Sequence, residues 1–501
     1  MISFDEILSY VDSDKLVALL KYDPASPLLF NTGLFLILFV FFIGIYRLLR
    51  RFRTVKMIFV ILFSLYFYYK SSAEYCFILL GVCISDYVLG ICMGKARPNW
   101  VRRLIVFVNV ALNVGMLAYF KYFNLILQTI STFTEKNFDP LDIILPAGIS
   151  FFTFRSISYI VDLYRRKLEP CTNFLDYTFY LTFFPPLLAG PVVRAVDILP
   201  QVKANPIATR AMVGEGLFLI IAGLIKKVIV ADFISGNFVD RVFDNPALYS
   251  GFENLMAMYG FTLQLYCDFS GYSDMAIGIA LLLGYRFKDN FNSPFKSQSP
   301  TEFWRRWHIS LSTWLRDYVY IPMGGNRKGK ARAYFNQFTT MVVGGLWHGA
   351  SWMYVIWGAF HGLLLVFHKM FKSILPPLSE KGKSSIWRYG ANIFLTFNLV
   401  VIAFVFFRMP SLEGVRQMGH QIFFDFHASV MPQFIAGYFT IILAMFLGFF
   451  LHFAPAEWAK SLKDRFIATP LWLQAVILAL VILIIIQVRQ TDIVPFIYLQ
   501  Y

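Results

Sequence analysis

The sequence predicts an all-α, polytopic membrane protein, and three observations carry that reading. Hydrophobic residues make up 58% of the 501 residues and charged residues only 15%. Mean hydropathy is +0.60. A water-soluble surface on a chain this long needs far more charge. Apolar runs long enough to cross a bilayer, about 20 residues as a helix, recur along the chain with basic clusters at their ends. A helix count of roughly eleven to thirteen follows from that length criterion. Several runs are short or interrupted by Gly and Pro, which makes them candidates for re-entrant or interfacial segments.

The first element, 1–27, reads as a short amphipathic helix with an acidic balance. Asp5, Glu6, Asp12 and Asp14 stand where a secretory leader would be basic, so the run at 28–49 is expected to be kept as a membrane helix. It ends in RLLRRFRTVK, which the positive-inside rule puts in the cytoplasm, with the N-terminus outside. Runs at 57–69, 76–93 and 104–119 then alternate, and KARPNWVRR marks the cytoplasmic side again. Further runs fall at about 143–163, 176–192, 215–234, 254–284, 336–347, 351–370, 387–407, 434–453 and 470–488. A polar loop is expected at 375–386. No internal repeat is visible, so the inverted-repeat pattern of many transporters is missing.

The formal net charge of +15 lies at the ends of apolar runs. That is the pattern of cytoplasmic loops and anionic lipid contact, not of nucleic-acid binding. The five cysteines have no metal-knuckle spacing and read as small buried hydrophobes. None of the seven histidines stands in a metal-ligand motif, and no metal is expected. GxSxG, Walker and GxGxxG motifs are also missing.

Polar residues concentrate in four stretches. In TEFWRRWHISLSTWLRDYVY, a helix over 302–320 at about 100° per residue puts Arg305, His308, Ser312 and Arg316 on one face. Arg306 lies beside them. Such a helix either lies in the membrane interface or lines a wet cavity. In GGLWHGASW, Trp347 and His348 sit among small residues that let backbones approach and open room beside the imidazole. A histidine near neutral pKa is the usual general base. His361, one helix on, reads as a neighbour of the site or a structural residue. LQLYCDFSGYSDMAIG places Asp268, Ser270, Tyr272 and Asp274 amid apolar flanks. Its carboxylates need partners, which the arginines of the first stretch can supply. A helix break capped by Asp and Ser around Gly271 is the equal alternative. In FFPPLLAGPVVR three prolines predict a buried loop, with Arg194 reaching a polar cavity.

Together FWRRWHISLSTWLRDYVYIPMGGNRKG, GGLWHGASW and QLYCDFSGYSDMAIG resemble the membrane-bound O-acyltransferase family. The nearest likeness is to its bacterial branch of alginate O-acetylation, peptidoglycan O-acetylation and teichoic-acid D-alanylation proteins. It is strong over about 140–410, weak over the first 100 residues, and returns in the C-terminal PFIYLQY. One departure is Phe184-Pro185-Pro186, where the alginate branch often carries a histidine after the first proline.

The resemblance implies one domain over 1–501: a core at 140–410, N-terminal helices at 1–135 and C-terminal helices at 411–501, around a central funnel or tunnel. It implies two key histidines, here His308 and His348. One would act as base and the other would polarise the carbonyl or orient the acceptor. Arg305, Arg306 and Arg316 would hold donor phosphates or pair with Asp268 and Asp274. Ser270, Tyr272, Ser312 and Trp347 would support the site.

The implied reaction is O-acylation, most simply O-acetylation, with no bound cofactor. An acetyl-CoA or acyl carrier protein thioester would be the donor substrate. A cell-surface polysaccharide would be the acceptor, reached through an extracytoplasmic partner of the SGNH-hydrolase-like type. The implied setting is a bacterial inner membrane, with membrane lipids as further partners. A carrier-dependent D-alanyl transferase is the enzymatic alternative. A transporter or scramblase with a basic-lined pathway is the other.

Overall fold

The computed structural model describes residues 13–134, 136, 138–374, 386–488 and 496. The expected loop at 375–386 falls almost wholly outside them, as does the C-terminal PFIYLQY apart from Phe496. Of the N-terminal helix, Ser13–Leu20 is described. Among the described residues the chain is helical, with no strand.

Among the described residues, five helical stretches are long and apolar enough to cross a membrane: Gly33–Arg51, Arg53–Lys95, Asn99–Thr134, Trp352–Lys372 and Ile386–Arg408. The pair Ala428–Gly437 and Phe439–Phe453 passes together but bends by 91°. Within Arg53–Lys95 the chain turns back at Ala73, a non-glycine residue with φ 47°. The reversal follows from contacts with one short helix, Phe174–Thr182. Arg53 pairs with Asp176 at 2.6 Å, and Tyr177 donates to Asp86 at 2.6 Å.

The remaining helices form an interior too polar to face lipid on every side. Its axis is the 32-residue helix Gly251–Leu282, about 48 Å long at 1.5 Å per residue. It starts on a capping box, with Ser250 and Glu253 exchanging hydrogen bonds. The helix runs unbroken through Gly271, so the break expected there does not occur. The glycine serves packing instead. A Cβ on Gly271 would sit 2.8 Å from the Gly223 carbonyl, and one on Gly278 would sit 2.6 Å from that of Gly216. Two helices, Arg210–Leu224 and the central one, thus meet backbone to backbone at two levels.

The carboxylates of the central helix also find partners other than those expected. Lys227 holds Asp268 at 2.6 Å and Asp232 at 2.7 Å, and Lys226 holds Asp274 at 2.7 Å. Both lysines stand on a π-helical turn, Ile225–Asp232, that continues the neighbouring helix. Charges at this depth persist only when paired. The arginines of 302–320 take no part.

Candidate active site

The segment 302–320 is not one helix. Ser299 caps a first helix, Pro300–Arg306, by accepting from the Glu302 amide. Trp307 is then extended, and His308 adopts a left-handed conformation, φ 41° and ψ 56°. A second helix, Ile309–Leu315, runs into a π-helical turn at Arg316–Tyr320. Non-glycine residues in this region are uncommon and cluster at functional sites. The break cancels the shared face expected of Arg305, His308, Ser312 and Arg316. Arg305 is exposed, Arg306 pairs with Glu302 at 2.8 Å, and Ser312 donates to the Trp307 carbonyl at 3.2 Å.

Asn290 secures the break. Its carbonyl accepts from the Ile309 amide at 2.9 Å. Its side-chain Oδ1 accepts from the Ser310 amide at 3.2 Å and from Ser310 Oγ at 2.8 Å, and lies 3.2 Å from His308 Nδ1. A backbone N–H can only donate, so the amide atom facing Ser310 is the oxygen. His308 Nδ1 must then carry the proton, and Nε2 keeps its lone pair. Asn290 Nδ2 is spent on Ser273 Oγ at 3.1 Å. His308 is fully buried, and its Nε2 has no hydrogen-bond partner among the described residues. The proline loop joins this network. Residues 183–193 are buried, as expected, and the Val192 amide donates to Ser310 Oγ at 2.9 Å.

His348 ends the helix Lys330–His348. The last carbonyls of a helix lack internal partners. Here Lys121 Nζ donates to the Trp347 carbonyl at 2.7 Å and to that of His348 at 3.2 Å, and Tyr122 donates to Leu346 at 2.6 Å. A cation at a helix C-terminus also suits the dipole. The room expected beside the imidazole is filled. A Cβ on Gly349 would lie 2.1 Å from the Tyr354 ring, and one on Gly345 2.2 Å from the Tyr354 carbonyl. These glycines let the Trp352–Ile374 helix press close. Aromatic rings surround the imidazole: Trp347 at 5.0 Å, Trp357 at 4.8 Å and Phe407 at 5.3 Å between centres.

Trp347 joins the two histidines, since its ring is 5.8 Å from His308 and 5.0 Å from His348. Of the residues singled out from sequence, the structure brings together His308, Trp347 and His348. Ser270 is buried nearby on the central helix, and Tyr272 stacks between Phe30 and Phe496. Asp268 and Asp274 belong to the lysine network. Asn290, Lys121 and Tyr122 were not foreseen. The signals for Lys226 and Lys227 were present, two cations interrupting the run at 215–234.

Two cavities flank the broken helix. The larger, about 590 Å³, is floored by Ile309 and Ser310 and ringed by Arg194, Arg286, Lys288 and Arg316. Asp197 and Asp289 also border it. Arg194 meets Asp317 at 2.7 Å and Arg316 meets Asp317 at 2.7 Å. The smaller, about 200 Å³, lies among Trp304, Leu315, Met341 and Leu365, with Arg316 and Lys369 at its edge. Lys288 meets Asp197 at 2.7 Å and Arg286 meets Glu215 at 3.2 Å, so all four cations are ion-paired, while two imidazoles and an aromatic bridge suit acyl transfer.

Comparison with known proteins agrees with this chemistry. The membrane-bound O-acyltransferase family model matches residues 170–409. The chain is 39% identical over 411 residues to a probable alginate O-acetylase of Pseudomonas aeruginosa, covering 79% of this chain and 75% of the relative. It is 36% identical over 422 residues to a peptidoglycan O-acetyltransferase of Helicobacter pylori, covering 78% and 79%. A teichoic acid D-alanyltransferase of Bacillus subtilis is 29% identical over 287 residues, covering 54% and 71%. The chain belongs to the membrane-bound O-acyltransferase family, and it is a multi-pass membrane acyltransferase of the O-acetylating kind.

Proposed function

We propose that the protein moves an acetyl group from a cytoplasmic thioester, through the membrane, to a hydroxyl of a cell-surface polysaccharide. An extracytoplasmic partner of the SGNH-hydrolase-like type would complete delivery. The observation that carries this reading is the pairing of His308 and His348 across Trp347. The acceptor class follows the alginate and peptidoglycan named for the relatives.

Direction follows from which groups share a side. The positive-inside rule makes the basic loops at 47–53 and 95–103 cytoplasmic and the N-terminus external. Arg102, from the second loop, donates to the carbonyls of Leu163 and Tyr164. Asp162, just before them, accepts from Tyr318 at 2.6 Å, beside the Arg194–Asp317 pair. The cationic chamber therefore opens towards the donor. Lys121 and Tyr122, beyond the far end of the helix Asn99–Leu117, cap the His348 end and mark the exit side.

In this reading the phosphates of acetyl-CoA, or the single phosphate of a carrier-protein arm, lie among Arg194, Arg286, Lys288 and Arg316. His308 Nε2 accepts a hydrogen bond from an amide N–H of the pantetheine arm. His348 takes the proton of the attacking hydroxyl and returns it to the departing thiolate. The test is surface acetylation in His308→Ala and His348→Ala at equal membrane abundance. Loss in both is expected, and near-normal acetylation in both removes the assignment. Replacing acetyl-CoA by a D-alanyl carrier thioester in vesicles separates the two donor classes.

A further inference from the structure

Buried polar atoms are almost always hydrogen-bonded, and a cluster of exceptions calls for an explanation. One such cluster lies behind His348. Trp304 Nε1, Trp357 Nε1 and both ring nitrogens of His361 are buried with no hydrogen-bond partner among the described residues. The three rings touch one another, with centres 4.8 Å apart for Trp357 and His361, 5.1 Å for Trp304 and His361, and 5.8 Å for Trp304 and Trp357. Leaving such groups unpaired is costly in the folded state. Phenylalanine would fill the same space without that cost. The cluster is therefore built to hold something polar.

Its position says what. Trp357 is edge-on to His348 at 4.8 Å, so the unpaired groups lie next to the base. Trp304 also borders the 200 Å³ cavity, whose walls are apolar and whose edge carries Arg316 and Lys369. A carbonyl oxygen placed among the three rings would meet the indole N–H groups and the one N–H of a neutral His361, whose other nitrogen keeps a lone pair.

We propose that Trp357 Nε1–H and a His361 N–H receive the thioester carbonyl oxygen as it becomes an oxyanion, with Trp304 at the entrance. This rests on the reading of His348 as base. The hydroxyl oxygen bonds to the thioester carbon and its proton passes to His348. The carbonyl π electrons move onto oxygen, between the two donors. Collapse of the tetrahedral species restores the carbonyl, breaks the C–S bond and releases a thiolate, which takes the proton from His348. No other reactant is needed. Fixed donors in a site without water act strongly on developing charge.

Trp357→Phe and His361→Phe remove the donors while keeping planar rings. His361→Gln keeps a donor. kcat is measured per mole of monodisperse purified protein, so a lower yield alone does not count. Trp357→His replaces Trp357→Phe if that variant yields none. Each Phe variant is expected to lose about 10²–10³-fold in kcat, with the KM for acetyl donor and the thermal midpoint nearly unchanged, and His361→Gln should recover at least part. Near-normal kcat in both Phe variants, with His348→Ala inactive, means that ordered water fills the cluster and overturns the proposal alone. Activity in His348→Ala as well overturns the reading beneath it.

Discussion

Asn290→Ala should disable the enzyme without touching either histidine. Asn290 is 1% exposed, and its Oδ1 is the shared acceptor for His308 Nδ1–H and the Ser310 amide. Removing it leaves both donors short of a partner. At about 1–3 kcal/mol for each buried group left unpaired, the loss is about 2–6 kcal/mol. Ser310 Oγ, 3.5 Å from His308 Nδ1, is too distant to compensate fully. The His308 proton is then free to move to Nε2, which turns the fixed acceptor into a donor. A wrong tautomer of this kind drops kcat by about 10⁴ in a serine protease triad, so a loss of at least about 10² is expected here by that analogy. The assay is acetyl transfer per mole of purified protein, with the thermal midpoint followed by tryptophan fluorescence. Asn290→Asp keeps the acceptor oxygen and should retain a folded protein and more activity than the alanine variant. Full activity and an unchanged midpoint in Asn290→Ala would refute the tautomer argument.

Three further outcomes follow. Gly278→Ala sets a Cβ 2.6 Å from the Gly216 carbonyl and should part the two central helices, lowering membrane abundance and the thermal midpoint, whereas Gly390→Ala, with open space at its Cβ, should leave both unchanged. Lys227→Leu takes a cation from the buried Asp268 and the part-buried Asp232 and should lower the unfolding midpoint; a midpoint equal to the parent's would show that the lysine network bears little load. At Asp317 burial pushes the carboxyl up, but the Arg316 and Arg194 guanidiniums outweigh it and hold it below the ordinary range. A depressed folded value gives stability that is complete above the unfolded value of about 3.9 and is lost as pH falls through the folded one. Asp317→Asn should therefore flatten the fall of the thermal midpoint below about pH 4, and identical acid slopes in parent and variant would contradict this.

The fold class was legible because it rests on local signals, run length and charge at the ends of runs, and His308 and His348 were singled out as ionisable residues in apolar stretches. What escaped depends on partners distant in sequence. FWRRWHISLS keeps a helical period with no Gly or Pro at the break, so nothing local announces Trp307 and His308 as non-helical. The break is stabilised from outside, by Asn290 and, through Ser310, by the proline loop. Gly271 was ambiguous for a related reason. A glycine between Asp and Ser is good turn chemistry, and only the Gly223 carbonyl against it turns the same residue into a helix contact.

Arg305, Arg306 and Arg316 do not pair with Asp268 and Asp274, and the charges are divided otherwise. Arg194 and Arg316 share Asp317 beside the larger cavity, while Lys226 and Lys227 neutralise the carboxylates of the central helix. Among the described residues, aromatic rings stand around His308 and His348: Trp347, Trp357, Phe269 and Phe407. An aromatic, water-poor surround strengthens each remaining dipole on a developing oxyanion. With Lys226 and Lys227 holding Asp274 and Asp268, those carboxylates are neutralised on the central helix and not at the two histidines.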